Sequence, residues 1–229
     1  MQATIRTRYS FTAQRIAGAV LMQRRAADIE AMSAPDGLAR AEHRALVVAA
    51  VKESAAALGD ELDEILQHGP GHHLGSNGTN AEALAILSPV ADLISRSQGV
   101  LEKYAIVLAL LRKPALPKGE RTYQDTVLLV GLRNELEHYR SNWDGDTKRA
   151  SLLPALQAKH FAPPPFVSTS ANFFPHQVLG AACARWAPEA SAAFIDHVYE
   201  VLGVRSVLDG HRVLGADFVD IMPARRKSS

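Results

Sequence analysis

A chain of 229 residues is long enough to bury a substantial core, as one large domain or as one domain with a helical extension, without help from disulfides or a metal. A net charge of +1 excludes the overall electrostatic footprint of a dedicated DNA-binding protein, so any contact with nucleic acid must be local. Apolar residues make up 47% and aromatics only 6%, with Ala, Leu and Val dominant; this favours close-packed helices and predicts an all-α fold, a helical bundle with a C-terminal helical extension.

The apolar runs Tyr104 to Leu111 and Thr126 to Leu132 are closed by charged residues and are too short to cross a bilayer, so no membrane partner is expected. The single cysteine, Cys183, lies in the run Ala181-Ala182-Cys183-Ala184 and reads as a buried, inert thiol. A lone cysteine excludes an internal disulfide and agrees with a cytoplasmic location.

In chain order, the first 27 residues carry five arginines and no acid, the composition of a mitochondrial presequence. Phe11, Ile16, Val20 and Met22 also suit a first helix, predicted over about 12–32 and closed by Ser33 to Gly37. A second helix is predicted over about 38–68, with Val47, Val51, Ala55, Leu58, Leu62 and Leu66 or Ile65 along one face. Residues 69–78 read as a flexible loop; His72 and His73 lack the carboxylate or thiol company of a metal site, and no phosphate-loop Lys follows the glycines. Helices follow over about 81–97 and 98–112, drawn as two or as one continuous rod. A break at 113–119 precedes a helix over about 122–140, and a shorter helix over about 147–159 comes next. Ala162 to Pro165 reads as an extended connector, and two last helices fit 175–186 and 188–202. The expected organisation is an N-terminal helix (1–36), a helical bundle (37–160), and a connector with C-terminal helices packing on the bundle (161–229).

The helix over 122–140 is the most informative. Leu129, Leu132, Leu136 and Tyr139 recur at steps of three, four and three and form a core-facing stripe. Val127, Gly131, Asn134 and His138 form a second seam on the opposite side, apolar and tight at one end and polar at the other, suited to meeting another helix in the same chain or across a dimer. Asn134 and His138 are helical neighbours, whereas Arg133 and His138 diverge by about 140° and meet only through the long arginine side chain. In such a set histidine exchanges protons near neutral pH, arginine holds a phosphate bidentately, and asparagine orients the imidazole.

Arg133-Asn134-Glu135-Leu136-Glu137-His138, preceded by Leu129-Val130-Gly131-Leu132 and followed by Tyr139, resembles the R-N-x-x-x-H signature of HEPN domains. These are all-helical proteins that usually act as dimers; many are metal-independent ribonucleases of toxin and defence systems, and others are non-catalytic binding modules. The loose form, Arg followed at four to six residues by His, is expected roughly twice by chance and recurs at Arg205 to His211; requiring Asn directly after Arg lowers that to about one in fifty. The resemblance covers about 38–159, with Glu42 to Ile65 like the first family helix and Leu101 to Tyr104 opening another. It implies a homodimer acting on RNA, with Arg133, Asn134 and His138 catalytic, Tyr139, Arg140, Lys148 and Arg149 binding substrate, and Val127, Gly131, Asn134 and His138 at the dimer interface. It implies no cofactor and no metal, and it leaves room for an antitoxin or other partner protein. One departure stands out: a family variant that is nucleotidylated has Tyr two residues after His, where this chain has Arg140.

The alternative function is a non-catalytic helical interaction module, in which Asn134 and His138 are a structural polar pair at a helix interface and Arg133 pairs with Glu137. Catalysis predicts Arg133 and His138 exposed in a basic cleft; the structural role predicts them sealed. His176, Asp196 and His197 have no Ser or Cys partner in view and read as caps and core contacts, and Trp143 as a lid on the core.

Overall fold

The structure is a computed structural model that describes residues 11–71, 81–96, 99–138 and 152–209. Every regular element among them is helical, as the composition predicts, and none is long and apolar enough to cross a membrane.

Helix α1 (Phe11–Glu30) and helix α2 (Gly37–His68) form an antiparallel pair. The small residues Ala13, Ala17, Ala19 and Ala26 on the buried face of α1 let the two helices approach closely. Asp36 starts α2 by accepting from the Ala39 N–H at 2.7 Å, a cap that satisfies one of the open amides of the first turn. At its end Gly69, at φ 78°, donates to Ile65 O. The predicted face of α2 is buried throughout, from Val47 to Leu66.

Helix α3 (Ala81–Leu87), a 3-10 turn (Ser88–Val90) and helix α4 (Ala91–Ser95) lead to helix α5 (Val100–Leu110). The continuous rod does not form, because Pro89 breaks the first stretch and Gly99, at φ 76°, separates it from the second. Helix α6 (Arg121–Glu137) carries the signature and helix α7 (Leu152–Gln157) follows.

Instead of two last helices there is one, α8 (Ala181–Leu202), with Pro188 inside it, preceded by a π turn at Phe173–Gln177. The proline removes one backbone bond, but it is buried in a helix whose flanking residues are buried on nearly every side, and the packing holds the helix through it. Gly203, at φ 74° and ψ 27°, closes α8 in the left-handed conformation that a side chain would disfavour.

Helix α8 supplies both halves of the core. One cluster joins Leu58, Leu62 and Ile65 of α2 with Tyr104 and Leu108 of α5 and Phe194, Ile195 and Tyr199 of α8. The other joins Val47 and Val51 of α2, Leu129 and Leu132 of α6 and Leu156 of α7 with Cys183, Trp186 and Ala187 of α8. Each fully buried side chain of this size contributes about 1.5–3 kcal/mol.

Candidate functional site

Helix α6 is fixed by its core stripe: Leu129 and Leu132 are fully buried and Leu136 is partly so. It is also tied by charge. Asp125, at 1% exposure, pairs with Lys159 beyond α7 and lies 3.8 Å from Arg121, and the Lys159 ammonium sits 5.8 Å from the Trp186 ring centre. A carboxylate this deep demands paired charge, so this network sets the position of α6 against the segment after α7. A signal for it was present in the sequence: Asp125 lies four residues before Leu129, in line with the apolar stripe.

The signature occupies the last turn of α6. The helix ends at Glu137 rather than continuing to 140, and His138 is its C-cap, at φ −108° and ψ 28°, donating its N–H to Asn134 O at 3.0 Å. Arg133 donates from Nη1 to Asn134 Oδ1 at 3.0 Å and places Nη2 3.0 Å from Glu137 Oε2. Glu137 lies 3.8 Å from Lys52 of α2. The Arg133 side chain is 39% exposed, and Asn134 and His138 are exposed.

The polar end of the seam is thus open to solvent, whereas its apolar end meets α7. Val127 and Gly131 line a cleft of about 560 Å³ between α6 and α7, together with Leu128, Leu152, Ala155 and Ala158. Gln124, Asp125, Glu135 and Lys159 complete it. A methyl placed on Gly131 would come 3.4 Å from Leu152 Cδ1, so the glycine permits this approach. The cleft, with Glu135 and Lys159 on it, is not evident from the sequence, because α7 pairs with α6 by a contact that periodicity does not reveal.

Tyr139, Arg140, Trp143, Lys148 and Arg149 lie outside the described residues, as do His72, His73 and His211. Around Arg133 the described charges are mixed, with Glu135 and Glu137 beside Arg133 and Lys52, rather than the basic cleft expected for catalysis.

The other tempting residues resolve into structure. Cys183 is fully buried, and burial pushes its thiol up to about 12. Asp196 accepts from Ser206 Oγ at 2.7 Å, and its neighbour His197 lies 3.8 Å from Glu120. The two side chains therefore serve different contacts, and no nucleophile, base and acid line up among them. His176 is exposed on the π turn.

No protein-family model, curated protein or solved structure matches the chain.

Proposed function

We propose that the chain is a HEPN-like, metal-independent endoribonuclease that acts as a homodimer, with two copies of the α6 end meeting to assemble the site. The observation that carries this reading is the exposure of Arg133, Asn134 and His138 together at one helix end. A structural Asn–His pair between helices of one chain would be sealed, since buried polar groups require fixed partners.

In this reaction the ribose 2′-oxygen attacks the adjacent phosphorus while His138 of one copy takes its proton. The P–O5′ bond breaks, and His138 of the second copy gives a proton to the departing 5′-oxygen. The products are a 2′,3′-cyclic phosphate and a 5′-hydroxyl end. Arg133 neutralises the charge that builds on the phosphorane oxygens, and Asn134, which already accepts from Arg133, positions that guanidinium.

A second reading, the non-catalytic interaction module, is favoured by the Arg133–Glu137 pair, which holds the guanidinium within its own helix. Purified protein incubated with mixed cellular RNA and a metal chelator separates the two. The nuclease gives cyclic phosphate ends with wild type, and Arg133→Ala and His138→Ala each lower the rate by at least about a hundredfold, the usual scale for losing a general acid–base group, with dimerisation unchanged. A well-folded dimer that leaves RNA of every kind intact would sink the catalytic reading.

A further inference from the structure

We infer that the RNA strand runs on from the end of α6 along α2, where Arg44, with Arg40 one turn beyond it, holds backbone phosphates next to the one being cleaved; this rests on the reading above, which puts the scissile phosphate at Arg133. Arg15, Arg25, Arg121, Arg133 and Arg205 each have a carboxylate oxygen within 4 Å. Arg44 is partly buried and has no such partner among the described residues. Its Nη1 donates to the Pro175 carbonyl at 2.8 Å, which fixes the side chain and leaves the other donors of the fork uncommitted. Burial pulls this guanidinium below the ordinary arginine range, and no carboxylate acts against the pull. Arg40 is likewise held by neutral groups, donating from Nε to Pro35 O at 3.0 Å with its guanidinium carbon 5.6 Å from the Phe166 ring centre. An arginine on open surface can do without a counter-ion because water solvates it. A partly covered one is stabilised when an anion arrives.

The placing of these arginines follows from the direction of α6. It runs antiparallel to α2, since Tyr123 and Val130 join the cluster of Leu58 and Leu62, whereas Leu132 and Leu136 join that of Val47 and Val51. It stops where Glu137 lies 3.8 Å from Lys52, and Arg133 Nη2 is 3.0 Å from the same carboxylate. Past that stop α2 continues through Val48 to Arg44, eight residues from Lys52, which is about 12 Å along the helix and about 80° round it. Arg133 and Arg44 therefore bracket the open end of α6, one on the helix that stops and one on the helix that runs by. Both carry the planar fork that matches phosphate oxygens bidentately, and Lys52 stands between them. A line of cations of this kind tracks a single strand by its backbone, without regard to base and with strong dependence on salt. RNA is favoured over an acidic peptide because the line continues into Arg133, Asn134 and His138, where a phosphodiester is the proposed reactant.

The test is binding of the full chain to a fluorescent single-stranded RNA of mixed sequence whose 2′-hydroxyls are all methylated, so that it is held but not cut, read by anisotropy over a range of salt. Arg44→Gln keeps a donor for the Pro175 carbonyl and removes the charge. It is expected to weaken binding at low salt by at least about tenfold and to reduce the slope of log affinity against log salt by about 0.7, the share of one phosphate on a single strand. Arg40→Gln, on an exposed side chain, should move affinity and slope in the same direction, and it carries the test if Arg44→Gln lowers the melting temperature. Lys113→Gln, beside Gly203 at the far end of α8, should change neither. Wild-type affinity and slope in both arginine variants, or an equal loss in Lys113→Gln, would overturn the path. Polyglutamate bound in an Arg44-dependent way by a protein that ignores the RNA would overturn it in favour of an acidic protein partner. Failure of the two readings is distinguishable: Arg44-dependent RNA binding by a protein that cleaves no RNA removes the nuclease alone, and cleavage at the wild-type rate by both arginine variants removes the path alone.

Discussion

Arg133 divides its guanidinium between Asn134 Oδ1 and Glu137, both on its own helix. An exposed i,i+4 pair of this kind is worth about 0.3–0.5 kcal/mol, whereas a bidentate arginine–phosphate contact is among the stronger hydrogen-bonded pairs. On the proposed reading, magnitude therefore favours exchange: the intrahelical pair holds the side chain at the helix end and would yield to a phosphate. Cys183 presents the opposite case, a group that no solute reaches. Its thiol is raised to about 12 by burial, while in the unfolded chain it titrates from about 8.5. The unfolded state thus loses its proton first as pH rises, and stability falls between about pH 9 and 12 by about 1.4 kcal/mol per unit. Urea unfolding of Cys183→Ala against wild type at pH 8 and at pH 10 should show the alkaline loss reduced by about that amount. An identical pH dependence would sink the assignment.

At the scale of elements, one carboxylate ties three helices together. Glu30, at the end of α1, accepts from His43 Nε2 of α2 and from the Ala181 N–H that opens α8, both at 2.8 Å. The Phe166 ring meets the His43 imidazole edge-on at 5.0 Å and covers it. Glu30→Ala removes a helix cap and leaves a fully buried imidazole without its partner, so a loss of about 2–4 kcal/mol is expected in chemical denaturation. A change below about 0.5 kcal/mol would show that the contact is incidental. This tie also shows why the sequence was only partly legible. The bounds of α1 and α2 followed from the spacing of Val47 to Leu66 and from the turn at Ser33 to Asp36, because those signals are local. That Glu30 would cap a helix 151 positions away is not local, and no periodicity carries it. The same holds for the candidate site. Arg133, Asn134 and His138 stood out in the sequence, but where α6 stops depends on capping at His138, and the cleft depends on how α7 comes back against Gly131. Pro188 misled for the reverse reason: a local breaker inside a helix that tertiary burial keeps whole.

For the molecule as a whole, α8 decides whether there is a core. Both hydrophobic clusters draw on it, through Phe194, Ile195 and Tyr199 in one and Cys183, Trp186 and Ala187 in the other. A fragment of residues 37–160, the stretch that resembles the family, lacks both α1 and α8 and should show no cooperative thermal transition by circular dichroism. Sharp unfolding of that fragment would mean the bundle is autonomous and α8 an addition. The same placement has a consequence in time. A ribosome adding about 5–20 residues per second needs about 6–23 s to pass from His68, the end of α2, to Ala181, the start of α8. Through that interval the α1–α2 pair has emerged with Val47, Val51, Leu58 and Leu62 not yet covered by α8. A nascent chain of this protein is therefore at its most adhesive just before α8 appears, and that is when a chaperone or a sister chain on the same message has its opportunity to bind.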